Sequence, residues 1–421
     1  MMDLLGVKEL REDQPNYDET KANIYPPPPD PLVAKNGQRI TTPEAWWSVR
    51  RPEIVEDFNR EILGRPPAHL PKATWEVVST TPENLGGVDV ITKRLAGHVD
   101  NSSYPQVSVT IDAMLTTPAH AVGAVPVIVE LAFDAGFNAS LLRPLSDEGD
   151  RGSGNYGQSW EKLVLAKGWG FAVLKPTSIQ ADDGGGLTEG IIGLVNKGQP
   201  RKLDDWGTLH AWSWGASRLL DYLESDKAVD ARQVGIAGHS RFGKTALVAM
   251  ADDPRFAIAY SSSSGEGGAK LYRHYFGEPL AHVAAPALYH WMDGNFLKFG
   301  GPLTPADLPV DNHELIALSA PRPVFIGAGS SVGDGYINPA GDAYADAEGM
   351  FQAEVAAGPV YRLLGKRDLG AARLPPMQTA LIDGELAFRQ HPGGHTPAPN
   401  WPAFLDFAGH YLHAPAGSGP R

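Results

Sequence analysis

Cysteine is absent from the 421 residues of this chain, which excludes disulfide bonds and any chemistry based on thiols or cysteine-ligated metals. Long apolar runs are absent too, since none approaches the ~20 residues that a membrane-spanning helix needs. The opening Met1-Met2-Asp3-Leu4-Leu5 lacks the basic and apolar regions of a signal peptide. We therefore expect a chain without a membrane anchor, which either stays in the cytoplasm or has lost a leader.

Positive charge is also scarce. The sequence has 36 lysines and arginines against 49 aspartates and glutamates, a net charge of −13, and no basic run offsets it locally. Such a surface repels the phosphates of nucleic acids and of anionic lipids. The composition therefore argues against a nucleic-acid partner and against a membrane partner.

The residues that are abundant predict one compact, loop-rich domain. Hydrophobic residues make up 42% of the chain, which also has 47 glycines and 36 prolines. Residues 1–40 are polar and proline-rich, and we expect them to form an extended arm laid over the body. No internal repeat or linker divides the rest, so we predict a single domain over residues 41–415 and a short tail over residues 416–421.

Strand-like and helix-like patterns alternate from about residue 125, which predicts a mostly parallel sheet covered on both faces. The clearest helical pattern runs from Asp204 to Glu224, with Asp204 or Asp205 as its N-cap. The earlier strand-like runs lack intervening helices and predict antiparallel strands at one edge. The predicted strands are Trp75 to Ser79, Val88 to Leu95, Val107 to Leu115, Val125 to Phe133, Gly170 to Lys175, Gln233 to Ala237, Phe256 to Ser262, Pro323 to Ala328, Val360 to Leu364 and Leu386 to Gln390.

The segment GHSRFG, residues 238–243, joins a predicted strand to a helical pattern that starts at Lys244. A serine on such a turn, flanked by glycines, is how α/β-hydrolases expose a nucleophile beside the free N–H groups of a helix N-terminus. The pattern departs from G-x-S-x-G because Phe242 stands at the second glycine position. The segment predicts acyl-transfer chemistry at Ser240. It also predicts that residues 41–415 form a single catalytic α/β-hydrolase domain. In that fold, helices cover both faces of the predicted sheet and make a three-layer sandwich.

A serine nucleophile needs a base and an acid that orients the base, and in this fold both follow the serine, the acid first. Asp334 lies in a loop of small residues after the predicted strand that ends at Ala328, and His395 follows the strand that ends at Gln390. We therefore predict Ser240 as the nucleophile, Asp334 as the acid and His395 as the base. The histidines here lack the spacing of a metal-binding pair, so we expect no metal.

Four stretches make the chain similar to a known family: GHSRFGK at 238–244, SGEGGA at 264–269, LPVDNHELIALSAPRP at 308–323 and PGGH at 392–395. They resemble the bacterial glucuronoyl esterases of carbohydrate esterase family 15, and the likeness covers nearly all of residues 30–412. Members of that family cleave the ester between the 4-O-methylglucuronic acid of xylan and lignin alcohols, without metal or cofactor. The resemblance implies a serine carboxylic ester hydrolase acting on glucuronoxylan or lignin–carbohydrate esters, secreted or periplasmic, and we expect a monomer without a cofactor.

The resemblance also implies roles for individual residues. Arg241, directly after the nucleophile, would stabilise the oxyanion through charge-assisted hydrogen bonds that strengthen as the charge forms. The plainer alternative for this arginine is an ion pair with a surface carboxylate. Lys244 would reach the sugar hydroxyls. Tyr336, where the family usually has tryptophan, would contact the substrate, as would Trp291 unless it belongs to the core.

Besides Tyr336, the chain departs from the family pattern at the triad acid and at the sugar contacts. Many relatives carry the triad acid as a glutamate at the position of Ser263, and a serine cannot hold an imidazolium by charge; Asp334 therefore remains our acid, with Glu266 as the alternative. The glutamine and glutamate that contact the sugar in the family have no clear counterpart in residues 284–295. Two other functions stay open: an acetyl or feruloyl xylan esterase on the same triad and, in another class, an inactive carbohydrate-binding relative.

Overall fold

The structure is a computed structural model that describes residues 1–134, 159–330 and 341–415. Its centre is one ten-stranded sheet with the order β1-β2-β3-β5-β4-β6-β7-β8-β10-β9. The strands are β1 Ala73–Leu85, β2 Val88–Val99, β3 Thr110–Pro118, β4 Val125–Leu131, β5 Gly170–Leu174, β6 Val229–His239, β7 Ile258–Ser262, β8 Val324–Ala328, β9 Ala380–Leu381 and β10 Leu386–Gln390. The α-helices in the described ranges are α1 Met2–Leu5, α2 Pro43–Ala45, α3 Arg51–Glu61, α4 Trp160–Ala166, α5 Gly190–Val195, α6 Thr208–Leu223, α7 Arg241–Asp252, α8 Leu280–Val283, α9 Leu297–Gly300, α10 Asn312–Leu318, α11 Ala347–Leu363 and α12 Trp401–Ala408.

The direction of the strands divides the sheet into two parts. Strands β5, β4, β6, β7, β8 and β10 pair in parallel with their neighbours, whereas β1, β2 and β3 form an antiparallel run that joins β5. The predicted α/β-hydrolase fold, with antiparallel strands at one edge, is confirmed. The short β9 adds an antiparallel pair with β10 at the opposite edge, which the sequence patterns did not predict.

Helices cover both faces of the central, parallel part of the sheet, whereas β1 at the edge is largely exposed. Along β4, Val127 and Val129 contribute to one apolar cluster, and Ile128 between them contributes to the other, as the two-residue repeat of a strand requires. Apolar residues of α6, α7, α10 and α11 belong to the first cluster, and those of α4 and α12 belong to the second. This is a three-layer sandwich, and its parallel strands all present their carboxyl ends at one rim.

One predicted strand is wrong. Residues 360–364 lie at the end and just beyond the end of α11, where Val360 and Tyr361 are buried on the face that packs on the core. Pro359 lies inside this helix. The β-branched and aromatic residues after it then gave a strand-like pattern.

The long helix α6 begins later than its pattern predicted, at Thr208 rather than near Asp204. Its N-cap is Gly207, where a Cβ atom would lie 2.2 Å from the carbonyl oxygen of Trp291. Asp205, one of the predicted caps, instead accepts a hydrogen bond from the backbone N–H of Lys202 (2.7 Å). The helix therefore starts where its backbone touches the segment around Trp291, which also contributes to the site described below.

The first 40 residues pack on the body through buried side chains and through one arginine. Val7, Ala22 and Leu32 are buried, and the guanidinium of Arg11 donates hydrogen bonds to the carbonyl oxygens of Gly301 (2.5 Å) and Phe299 (2.8 Å). The boundary of the arm at residue 40 stays a prediction. None of the helices in the described ranges has the length and hydropathy that crossing a bilayer requires.

Candidate active site

Ser240 is the single residue between the end of β6 and the start of α7. Its backbone has φ 58° and ψ −126°, a strained conformation for a residue with a side chain, and its N–H donates to the carbonyl oxygen of Ser262 at the end of β7 (2.8 Å). Two neighbouring glycines make the turn possible. A Cβ at Gly238 would lie 2.2 Å from the carbonyl oxygen of Phe242, and one at Gly243 would lie 2.9 Å from that of Ser262. Gly243 comes one position later than the second glycine of G-x-S-x-G, but it still allows the start of α7 to pack closely on the end of β7.

His395 follows β10 and is held by a carboxylate from the loop after β8. Its Nδ1 lies 2.7 Å from Oδ1 of Asp342, whose side chain is fully buried. The other carboxylate oxygen accepts hydrogen bonds from the hydroxyl of Ser263 (2.7 Å) and the backbone N–H of Gly329 (2.5 Å). With Nδ1–H donating to Asp342, the free Nε2 is the ring atom able to accept a proton.

His239 links the segments that carry Ser240 and His395. Its ring lies against that of His395, with 4.4 Å between centroids, and it directly precedes Ser240 in the chain. Burial, together with the neighbouring His395 and His391, holds the pKa of His239 well below its usual value. The ring packed on His395 is therefore neutral at neutral pH and places no positive charge beside it.

The triad acid predicted at Asp334 lies outside the described residues, as does Tyr336. Asp342, in the same loop and eight positions further along, is the carboxylate bonded to His395. The alternative acid, Glu266, is placed elsewhere: its buried carboxylate pairs with Lys270, and burial raises its pKa above the usual value. Sequence reasoning missed Asp342 although it had named the right loop, because nothing in the sequence ranks one aspartate of that loop above another.

Arg241 forms the ion pair considered for it, and its oxyanion role stays a prediction. Its guanidinium forms an ion pair with Asp182, the partly buried carboxylate that also accepts hydrogen bonds from His290 Nε2 (3.0 Å) and Trp291 Nε1 (2.7 Å). Burial alone would raise the pKa of Asp182, but these two hydrogen bonds and the charge of Arg241 lower it below the usual value. The buried Nε of Arg241 has no hydrogen-bond partner among the described residues. One N–H of a cation anchored beside Ser240 thus has no acceptor in the described part of the chain.

Lys244 and Trp291, both predicted to contact the substrate, are almost entirely buried. The ammonium of Lys244 donates to the carbonyl oxygens of Ser264 and Glu266 (both 2.6 Å) and lies 3.8 Å from the carboxylate of Glu278. It also lies 5.4 Å from the centre of the Trp291 ring. These contacts show that both residues build the wall of the site; their contact with a sugar stays a prediction.

The arrangement supplies each part that acyl transfer needs. A serine hydroxyl sits at the N-terminus of α7, an imidazole whose Nδ1 is held by Asp342 follows β10, and a guanidinium anchored by Asp182 comes next to the serine in the chain. The serine follows β6, Asp342 comes after β8 and the histidine follows β10, so their loops meet at one rim of the sheet.

Comparison with known proteins agrees with this geometry. A sequence profile described as "Glucuronyl esterase, fungi" matches residues 201–365. Among curated proteins, carbohydrate esterase MZ0003 from an unknown prokaryotic organism is 31% identical over 94% of this chain and 92% of that protein. Among solved structures, a CE15 glucuronoyl esterase from Teredinibacter turnerae T7901 is 39% identical with a TM-score of 0.86, and the match covers 97% of both chains. A glucuronoyl esterase from Solibacter usitatus is 34% identical with a TM-score of 0.79, covering 93% of this chain and 99% of that one.

The fold, the serine turn and the histidine–carboxylate pair define a carboxylic ester hydrolase of the α/β-hydrolase class. With relatives this similar over nearly its whole length, the chain belongs to carbohydrate esterase family 15.

Proposed function

We propose that this protein is a glucuronoyl esterase, which hydrolyses the ester between the 4-O-methylglucuronic acid of glucuronoxylan and a lignin alcohol. The observation that carries the proposal is Arg241, a cation fixed directly after the nucleophile with a free Nε–H. The names of the relatives over nearly the whole chain support the same substrate class.

In the first half of the reaction, Ser240 Oγ adds to the ester carbonyl carbon and its proton passes to His395 Nε2. The charge that forms on the carbonyl oxygen is stabilised by Arg241 and by the free backbone N–H groups at the start of α7. The bond to the alcohol oxygen then breaks, and His395 returns the proton to that oxygen. The alcohol leaves, and the uronoyl group remains esterified to Ser240.

In the second half, water adds to the acyl carbon and gives one proton to His395. The bond between that carbon and Ser240 Oγ breaks, the proton on His395 passes to the serine, and the uronic acid leaves and gives its remaining proton to the solvent. We assign the orienting acid to Asp342, because its carboxylate is the group bonded to Nδ1 and stabilises the imidazolium in both halves.

Recognition of the sugar is the finer part of the proposal. The ester substrate is uncharged at its carboxyl, so the net charge of −13 does not repel it, whereas the released uronate can be held by Arg241 and Lys244. Tyr336 remains a proposed sugar contact, and Trp291 supports the site by binding Asp182. We further infer a monomer that works outside the cytoplasm, where glucuronoxylan is found.

The decisive assay compares benzyl glucuronate with an acetylated sugar. We expect much faster turnover of benzyl glucuronate, and the Ser240→Ala variant should lose turnover of both while keeping the melting temperature of the parent. A faster rate on the acetylated sugar would instead assign an acetyl xylan esterase. Binding of glucuronoxylan without hydrolysis of any ester would assign the inactive binding relative.

A further inference from the structure

His274, a buried histidine outside the triad, is held between two carboxylates. Its side chain is 1% exposed, with Nδ1 2.6 Å from Oδ2 of Asp346 and Nε2 3.0 Å from Oε1 of Glu19 in the N-terminal arm. An ionised carboxylate only accepts hydrogen bonds, so two such contacts require a hydrogen on both ring nitrogens. Gly349 leaves room for the pair, since a Cβ atom there would lie 2.2 Å from Oδ2 of Asp346. The ring is therefore an imidazolium that donates to two separate segments.

The charged groups around the ring agree with this geometry. Burial alone would lower the pKa of His274, but the hydrogen bond and charge of Asp346, together with the charge of Glu19, raise it above its usual value. Lys270 is a nearby opposing charge, which does not reverse the direction of the shift. The groups that face the ring thus favour its form with two donors.

Asp346 ends the turn that carries the proposed triad acid. Asp342 opens this turn, and the N–H of Ala345 donates to the carbonyl oxygen of Asp342 (3.0 Å). The backbone of Asp346 has φ 60° and ψ 79°, a left-handed conformation that persists only where its surroundings hold it. Its carboxylate is held at both oxygens, by His274 and by the backbone N–H of Gly349 near the start of α11 (2.8 Å). His274 therefore fixes the far end of a turn whose first residue is the acid.

The backbone that follows His274 is itself bonded on both sides. On one side, the N–H of Tyr275 donates to the carbonyl oxygen of Ala22 in the arm (2.7 Å). On the other side, the N–H of Glu278 donates to the carbonyl oxygen of Tyr344, inside the turn that carries the acid (2.9 Å). Hydrogen bonds thus join the arm, this segment and the turn, and His274 is a fixed point from which the turn can be held.

We propose that His274 is a positioning residue for ester hydrolysis: it holds Asp346, and with it the turn that presents Asp342 to His395. The inference deepens the proposed function and rests on it, because it takes Asp342 as the acid that orients the base. A carboxylate displaced from Nδ1 of His395 would no longer orient that ring or stabilise its charged form. Since His274 acts through Asp342, loss of its contact should slow the chemical step and leave substrate binding unchanged.

Two amide variants separate the two ends of the His274 ring. In His274→Asn the side-chain N–H lies near the place of Nδ1 and can still donate to Asp346, whereas in His274→Gln it lies near the place of Nε2 and reaches towards Glu19. In steady-state kinetics on benzyl glucuronate, we expect His274→Gln to lower kcat about 10- to 100-fold with KM unchanged. His274→Asn should keep kcat within about threefold of the parent. Equal losses of kcat in the two variants would overturn the proposal.

His210 provides the matched control for a purely structural role. Its side chain is 3% exposed and is also bonded at both nitrogens, but near the start of α6 rather than at the turn that carries the acid. Nδ1 lies 2.7 Å from the carbonyl oxygen of Gly64, and Nε2 lies 2.9 Å from the carboxylate of Asp252. His210→Gln should lower the melting temperature and leave kcat near that of the parent. A His274→Gln variant that behaved in the same way would show that His274 is merely structural.

A double variant tests the route through the acid. In the Asp342→Asn background, His274→Gln should lower kcat little further, because the group it positions is already lost. Additive losses would overturn the proposal. A parental kcat in His274→Gln, beside a large loss in Asp342→Asn, would overturn it and leave the proposed reaction intact. A parental kcat in Asp342→Asn would instead remove the assignment of the acid, and with it this role of His274.

Two further measurements cover the failure of an assay or of a variant. A crystal structure of His274→Gln should show the carboxylate of Asp342 displaced from His395, and an unchanged contact of 2.7 Å would overturn the proposal whatever the substrate is. Should His274→Gln fail to fold, Asp346→Gly decides, because glycine adopts φ 60° without strain but has no carboxylate for the ring. We expect it to lower kcat about 10-fold or more, and a parental kcat would overturn the proposal.

Discussion

Ser263 donates its hydroxyl hydrogen to Asp342, with 2.7 Å between Oγ and Oδ2. Many members of the family carry the triad acid at the position of Ser263, whereas here Ser263 donates to a carboxylate from the next loop. Moving the acid from one loop to the next needs no change in the sheet, because β7 and β8 are parallel neighbours and both loops leave the same rim. Ser263 adopts φ 44°, a conformation in which its hydroxyl meets the buried carboxylate.

The first prediction concerns Asp342. Replacing it with asparagine should lower kcat by up to ~10⁴-fold with little change in KM, because an amide no longer stabilises the imidazolium or fixes its tautomer. Steady-state kinetics on benzyl glucuronate measure the loss. Asp334→Asn and Glu266→Gln are the matched controls, and a larger loss in Asp334→Asn than in Asp342→Asn would return the acid to the position that the sequence suggested.

The second prediction concerns the pair Arg241–Asp182. Arg241→Lys should lower kcat by ~10²–10³-fold because an ammonium cannot reproduce the guanidinium geometry at the oxyanion. Asp182→Asn should cost between ~10 and ~100-fold, because the guanidinium loses its anchor and is displaced.

A double-mutant cycle separates positioning from an independent contribution of Asp182. In the Arg241→Lys background, Asp182→Asn should have little further effect on kcat. If the two losses were instead additive, Asp182 would act on the substrate independently of Arg241. Another group would then have to hold the guanidinium of Arg241 in place.

The third prediction concerns the buried ammonium of Lys244. Lys244→Met should lower the free energy of unfolding by about 3 kcal/mol, since it leaves Glu278 without its cation; the lower end of the usual range applies because Glu278 keeps hydrogen bonds from Tyr344 and His282. Urea unfolding measures the loss. Glu278→Gln in the same chain should recover part of it, and a variant as stable as the parent would mean that Lys244 has no structural role.

Comparison of sequence and structure shows where local patterns are sufficient. The turn around Ser240 was predictable because its constraints are local: two glycines, a strand before and a helix after. The position of His395 just past a strand was predictable too, while its role as the base stays a prediction. Asp342 was not, since the choice between aspartates of one loop depends on which of them meets Ser263 and Gly329, residues that the fold brings together from two other strands. The role of Asp182 as the anchor of Arg241 had no sequence signal for the same reason.

The fourth prediction uses the pH dependence of stability. Burial lowers the pKa of His313 to about 4, and the ring donates to the carbonyl oxygen of Pro29 in the N-terminal arm. The unfolded chain takes up this proton below about pH 6.5, while the folded protein does not until about pH 4, so stability falls as the pH falls through that window. At pH 5 the loss from this group is about 2 kcal/mol.

His313→Gln should reduce the decrease in the free energy of unfolding between pH 7 and pH 5 by about that amount, although its stability at pH 7 will be lower. His98→Gln is the control, because His98 is exposed and pairs only with Glu76 at the surface. An unchanged decrease in the His313→Gln variant would show that this histidine is not the acid-sensitive group.

The order of the central strands has a consequence for how activity arises. Ser240 follows β6, Ser263 follows β7, Asp342 follows β8 and His395 follows β10, and these four strands lie side by side. Because β10 comes last in the chain and pairs with β8, every earlier pairing can be complete while His395, the base that we propose, is still out of place. With His395 as the base, recovery of turnover during refolding reports the docking of one five-residue strand, and we expect a chain under synthesis to act on an ester only after its last strand has emerged and inserted.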